Sequence, residues 1–244
     1  MIKVGVFGAQ GRMGSEVCRA VQADDELELV AQVDENDDPR AFVDAGATVA
    51  VDFTTPDAVL ANIRFCVDNG IHVVVGTTGL SASDLDEVAG WVAGARASVF
   101  IAPNFAIGAV LMMDFAARAA PHFDTAEIVE RHHERKLDAP SGTALRTAQL
   151  MNDARGTAWR APQGHSETLP GSRGGDSSGI RIHSVRVPGS VAHQDVILGT
   201  AGETLTIRHD SLDRASFMPG VVLAVKRVGS LQGLTVGLEN LLDL

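Results

Sequence analysis

The chain predicts an α/β fold: a doubly wound parallel sheet domain joined to a second, α+β domain with a mixed or antiparallel sheet. Three observations lead there. Short apolar runs alternate with helical patterns over the first hundred residues, the grammar of β-α-β units. The run Val73-Val74-Val75 is apolar without alternation, as in a sheet covered on both faces. Beyond about Ile107 the alternation stops, and three strand-like runs follow one another without intervening helices.

In order, Ile2 to Gly8 reads as a strand and Gly11 to Val21 as a helix with Met13, Val17 and Ala20 on one face. Leu27 to Val33 is a second strand and ends at Asp34. Val49 to Phe53 (strand), Asp57 to Asn69 (helix), Ile71 to Val75 (strand), Ser83 to Ala93 (helix) and Ser98 to Ala102 (strand) continue the pattern. Then come a helix over Ala109 to Ala119, a strand over Ala126 to Glu130 and a helix over Ser141 to Ala154. Leu169 to Gly179 reads as a polar, Gly-rich loop with Arg173 among its glycines, a candidate flap or an idle loop. The runs Ile180–Val187, Val191–Leu198 and Glu203–His209 are strands; Phe217 to Val228 is a last helix and Leu234 to Leu238 a last strand. The expected division is a dinucleotide-binding domain, residues 1–106 and 217–244, and a substrate-binding and oligomerisation domain, residues 107–216.

Composition narrows the function. The 244 residues are 45% hydrophobic and 21% charged, enough to bury a sizeable core. A net charge of −11 with no long Lys/Arg run argues against nucleic acid. Cys18 and Cys66 form no ligand pattern and suit a reduced, cytoplasmic setting. The chain opens directly on a strand, so no signal peptide is expected. Polar residues interrupt the apolar stretch Ser98–Ala120, which argues against a membrane span.

Gly8-Ala9-Gln10-Gly11-Arg12-Met13-Gly14 sits between the first strand and helix, a variant of the Rossmann glycine fingerprint. Small residues let backbone N–H groups approach a pyrophosphate; the other reading is a plain tight turn. Asp34, ending the next strand, is placed to accept both ribose hydroxyls, which favours NADH, whereas Arg12 can reach the extra phosphate of NADPH. Dual use leaning to NADH is expected. Glu35 to Asp38 read better as a solvated acidic loop. Gly76-Thr77-Thr78-Gly79 and Ala102-Pro103-Asn104-Phe105 follow strands, where an open sheet binds ligands, and suit the nicotinamide ribose and carboxamide; each is equally readable as a structural turn.

The most informative stretch is Glu130 to Thr143. His132 and His133 can deliver a proton near neutral pH, and Lys136 can hold a carboxylate or supply a proton. Ser141-Gly142-Thr143 opens a helix whose N–H groups can clasp an anion, or simply caps it. Successive side chains of an extended segment point opposite ways, so the two histidines cannot face one pocket equally. A metal site on His132, His133 and Glu134 is disfavoured, because adjacent residues rarely converge on one ion.

His132-His133 through Lys136 to Asp138-Ala139-Pro140-Ser141-Gly142-Thr143-Ala144 resembles the signature of the dihydrodipicolinate reductase family, also called 4-hydroxy-tetrahydrodipicolinate reductase. The resemblance takes in Gly8–Gly14, Gly76–Gly79, Ala102–Gly108, Glu203–Ser211 and Phe217–Gly220, and so spans essentially the whole chain. It implies NADH- or NADPH-dependent reduction of a cyclic dicarboxylic imine in bacterial lysine and diaminopimelate synthesis. It implies His132 as proton donor and acceptor, Lys136 as a second donor, and His133, Gly142 and Thr143 on the substrate. It puts Gly8, Ala9, Gln10, Gly11, Arg12, Met13, Asp34, Gly76, Thr77, Thr78, Ala102, Pro103, Asn104 and Phe105 on the cofactor. A cytoplasmic homotetramer is the family's usual form. Glu35 stands where many members carry an arginine, which weakens the case for NADPH preference. Other readings are a dehydrogenase of amino-acid semialdehydes and a non-catalytic dinucleotide sensor.

Overall fold

The computed structural model describes residues 1–161, 166–242 and 244. The chain divides into two compact units, Met1–Ile107 with Arg214–Leu244, and Gly108–Asp213.

The first unit is built on six parallel strands: β1 (Ile2–Phe7), β2 (Leu27–Val33), β3 (Val49–Asp52), β4 (His72–Val75), β5 (Val99–Ile101) and β11 (Leu234–Val236). Their spatial order is β11-β5-β4-β3-β1-β2, which reverses at β1 and β3. Helices α1 (Gly14–Gln22) and α7 (Met218–Val228) pack together against the sheet, and α3 (Pro56–Asp68) packs with α4 (Ala82–Val92). This double cover explains the continuous apolar strands. Val73 and Val75 join Val59, Ile63, Val88 and Val92 of the helices in one core, and Val74 between them is equally buried. Pro56 at the first turn of α3 and the Ser81–Asp84 capping box of α4 start these helices without wasting backbone N–H groups.

A five-residue helix, α2 (Arg40–Asp44), has no counterpart in the sequence reading. It is too short to show a period. It exists because Phe42 packs on the β1 backbone at Gly5, where a Cβ would come within 2.8 Å of the ring.

The second unit begins with α5 (Ile107–Ala119) and carries a mixed sheet of order β10-β9-β6-β8-β7. Its strands are β6 (Thr125–His132), β7 (Gly175–Ser177), β8 (Ile180–Arg186), β9 (Ala192–Thr200) and β10 (Glu203–Ser211). β6 runs parallel to β8 and antiparallel to β9. Helix α6 (Gly142–Arg155) is buried through Ala144, Thr147, Ala148 and Met151 and packs on β6. Ala126, Ile128, Ile180, Ile182, Val196 and Leu198 are buried apolar residues of the strands.

The stretch read as a loop over Leu169–Gly179 contains β7, which pairs antiparallel with β8. Arg173 is not poised in a bare flap: its Nη2 meets Glu127 Oε1 at 2.8 Å. Glu167 accepts the Gly171 and Arg173 N–H groups, at 2.8 and 3.1 Å. Glycine content misled here, because a strand held by one neighbour needs backbone pairing and few side chains.

Candidate active site

The candidate residues fall into two groups, one in each unit, and each is described by itself.

In the first unit, parallel register brings five loops to one edge. Phe7 pairs with Val33 and with Asp52, Asp52 with Val75, and Val75 with Ile101. Gly8, Asp34, Phe53, Gly76 and Ala102 therefore follow one paired row at the carboxyl ends of five strands, at the point where strand order reverses. Gly8 has φ +69°. A Cβ on Gly14 would run into the Gly8 carbonyl oxygen, so the turn and the start of α1 close only with glycine at both positions. A tight glycine turn leading into a helix is the kind of element that can approach a pyrophosphate closely.

Asp34 lies beside this turn, and Gln10 N–H donates to its Oδ2 at 3.1 Å. Asp37 and Asp38 accept N–H groups of their own loop, from Asp34 and Arg40 at 2.9 Å each, which agrees with the acidic-loop reading. Asn104 Oδ1 accepts the Ala106 N–H at 2.9 Å and so shapes its own loop. Thr77 differs from expectation in one respect. Its hydroxyl donates inward to Asp52 at 2.7 Å and accepts from Thr54 N–H at 2.8 Å. The Thr77 side chain is thereby committed within the protein.

In the second unit the centre is Glu130, a residue the sequence reading used only as a strand end. It is fully buried. Its Oε2 lies 2.6 Å from His132 Nδ1, and Arg186 grips both oxygens, Nη2 to Oε1 at 2.8 Å and Nη1 to Oε2 at 2.9 Å. Ser141 N–H donates to Oε1 at 3.2 Å. Burial alone would push this carboxyl up, yet hydrogen bonds from His132, Arg186 and Ser184 hold it down at about 2. At neutral pH it is a carboxylate and can only accept, so the proton between it and His132 rests on Nδ1. Nε2 is the ring nitrogen left for a ligand.

Local structure explains the arrangement. Glu130 and His132 are two apart on β6 and share a face. Parallel register sets His132 opposite Arg186 and Glu130 opposite Ser184. Ser141 caps α6, its Oγ accepting from Ala144 N–H at 3.2 Å while its own N–H turns to Glu130. Glu130 thereby ties the proposed proton donor to the start of the helix carrying Gly142 and Thr143. A Cβ on Gly142 would meet nothing within 4 Å, so the space before that first turn is open.

Lys136 joins the same cluster indirectly. Its Nζ lies 2.8 Å from Asp138 Oδ1, and Arg186 Nη2 donates to the Asp138 carbonyl at 2.7 Å. The Lys136 hydrogen bond holds the Asp138 carboxyl below its ordinary range. His133, half-buried, follows β6, and its carbonyl accepts Lys136 N–H at 3.1 Å. Glu130-x-His132 was a legible signal at strand spacing; Arg186, 56 residues away from Glu130, had none.

Two family models describe these units. Residues 2–105 match "Dihydrodipicolinate reductase, N-terminus" and residues 108–242 match "Dihydrodipicolinate reductase, C-terminus". The chain belongs to the dihydrodipicolinate reductase family. It is accordingly an NAD(P)H-dependent oxidoreductase, and its first unit is the family's dinucleotide-binding domain. Among relatives, 4-hydroxy-tetrahydrodipicolinate reductase of Nocardia farcinica is 57% identical, over 100% of this chain and 99% of its own. The enzyme of the same name from Mycolicibacterium smegmatis is 54% identical over 100% of both chains. A solved structure of dipicolinate-bound dihydrodipicolinate reductase from Paenisporosarcina sp. TG-14 superposes with TM-score 0.89 at 39% identity, covering 98% of this chain and 99% of that one. Amine dehydrogenase from Mycobacterium smegmatis, 12% identical with TM-score 0.62 and covering 96% of this chain and 94% of its own, shares the fold alone. Among the described residues no helix is long and apolar enough to cross a membrane.

Proposed function

We propose that this reductase converts 4-hydroxy-tetrahydrodipicolinate to tetrahydrodipicolinate with NADH or NADPH, water being lost, as a step of lysine and diaminopimelate synthesis. The observation that carries the reading is the Glu130 cluster, which ties a histidine, an arginine and a helix start into one rigid group in a chain whose other unit is a dinucleotide domain.

Each residue has a task. Gly8 to Met13 cradle the pyrophosphate, Asp34 takes the ribose hydroxyls, and the turns at Gly76–Thr78 and Ala102–Phe105 take the nicotinamide half. Bound there, the cofactor supplies a hydride to an unsaturated ring carbon of the substrate. His132 delivers the accompanying proton from Nε2 while Glu130 holds the ring by Nδ1. Lys136 exchanges Asp138, which is 58% exposed at its side chain, for a substrate carboxylate and neutralises it. His133 and the Gly142 and Thr143 amides grip the substrate and fix the ring for attack. Asp34 with Glu35 leans the preference to NADH, and Arg12 keeps NADPH usable.

The assembly we infer is a cytoplasmic homotetramer. Cys18 and Cys66 are free and buried, which suits a reducing compartment. The sheet face opposite α6 carries Ile197, 36% exposed, among alternating charges such as Arg131, Asp195 and Arg208, a surface suited to a second copy.

The test is coupled turnover. The cyclic precursor is supplied, NADH and NADPH absorbance are followed in parallel, and a planar pyridine dicarboxylate is added as competitor. Oxidation with amino-acid semialdehydes instead, or NADH binding without any oxidation, would replace this reading. His132→Ala should abolish most turnover with NADH binding intact.

A further inference from the structure

The dinucleotide unit holds a buried carboxylate that none of the roles above uses. Asp52 ends β3 and is fully buried. Its Oδ1 accepts three donors: Thr54 N–H at 3.0 Å, the Thr54 hydroxyl at 2.8 Å and the Thr77 hydroxyl at 2.7 Å. Its Oδ2 accepts the Asn62 side-chain amide at 2.8 Å. These partners come from the exit of β3, the exit of β4 and α3. All are neutral. A buried carboxylate persists only when its lone pairs are filled, and here they are filled by groups that fix loops.

The neighbouring residue extends the grip. A Cβ on Gly8 would sit 2.6 Å from the Phe53 carbonyl oxygen, and one on Gly76 would enter the Phe53 ring. That ring lies 5.8 Å from the Phe105 ring. Segment 52–54 thus abuts the turns after β1 and β4 and the Phe105 loop, three of the loops assigned to the cofactor.

We infer that Asp52 is a positioning residue for the nicotinamide half of the cofactor: its carboxylate clamps Thr54 and Thr77 and so sets the turns on which that half rests. The inference depends on the cofactor placement proposed above. The bonding pattern also predicts its own rescue. In Asp52→Asn, Oδ1 keeps its three donors while Nδ2 faces Asn62, whose amide turns over to accept. Asp52→Ala loses every bond.

Dissociation constants for NADH and for AMP, which carries only the adenosine half, are measured with KM and kcat for the wild-type enzyme, Asp52→Ala, Asp52→Asn and Thr77→Val. Asp52→Ala is expected to weaken NADH at least tenfold and AMP less than twofold, with substrate KM unchanged. Asp52→Asn should return NADH to within threefold of wild type. Equal loss of NADH and AMP, or NADH binding at the wild-type level, overturns the inference. If Asp52→Ala does not fold, the same NADH-to-AMP contrast in Thr77→Val decides. Gly11→Val, which puts a side chain over the glycine turn, separates the two failures. If it blocks NADH while the Asp52 and Thr77 variants bind normally, only the Asp52 role falls. If it too binds normally, the cofactor placement falls.

Discussion

Glu130→Gln is the sharpest perturbation the second unit offers. The change is isosteric, yet it puts an N–H pair where one oxygen now accepts. Each oxygen has at least two donors: Oε1 serves Arg186 and Ser141, Oε2 serves Arg186 and His132, and Ser184 adds a further bond to the carboxylate. Whichever end becomes the amide nitrogen, at least two bonds are lost and at least two donors face a donor. If that end faces His132, the ring loses the acceptor that fixes its Nδ1 proton. A hydrogen bond to a charged group contributes about 1.5–3 kcal/mol, so kcat should fall roughly 10- to 150-fold. NADH binding should be unchanged, since Glu130 belongs to the other unit. The acid limb of stability should change as well. The native carboxyl is lowered from 4.5 to about 2. A depressed acid contributes fully above its unfolded value and loses that contribution as pH falls through the folded one. The shift corresponds to about 3 kcal/mol, lost between about pH 4.5 and pH 2, and absent from the variant. Stopped-assay kinetics across pH and urea unfolding at pH 6 and pH 3 read both effects. A folded variant with kcat within threefold of wild type and the same acid dependence would refute the role given to Glu130.

Three other perturbations separate binding from folding. Gly142→Ala adds a Cβ into open space, so thermal stability should hold or rise slightly, while substrate KM climbs because the space before the α6 turn is filled. Gly14→Ala puts its Cβ on the Gly8 carbonyl; about 1–3 kcal/mol of stability should be lost in denaturant titration, together with NADH affinity. Lys136→Ala removes the cation now paired with Asp138, and substrate KM should rise about 10- to 100-fold with kcat also reduced; unchanged steady-state constants would exclude a carboxylate contact.

Much of the fold was readable before any coordinates. β2 occupies the span its apolar run predicts, and α3, α4 and α6 each lie within a residue of theirs, because long amphipathic or apolar segments announce their own period. What escaped was structure made by distant partners. β7 owes its existence to pairing with β8, and α2 to Phe42 covering Gly5. The candidate site divides in the same way. The histidines, Lys136 and Ser141–Thr143 stand in one local run, so their types and spacing spoke directly. Arg186 and Asp52 did not. An arginine in a strand and an aspartate at a strand end are unremarkable until register sets one opposite His132 and burial closes over the other.

Sequence alone determined the class of fold and the family, and it singled out the histidine proposed here to carry the proton, since all three readings reside in local pattern and residue chemistry. Tertiary structure alone decided which carboxylate holds His132, which cation neutralises that carboxylate, and why Thr77 turns inward. Those are questions of which atoms meet across strands. The backbone ladder answers them, bringing residues 56 positions apart to hydrogen-bond distance and excluding the water that would otherwise screen them.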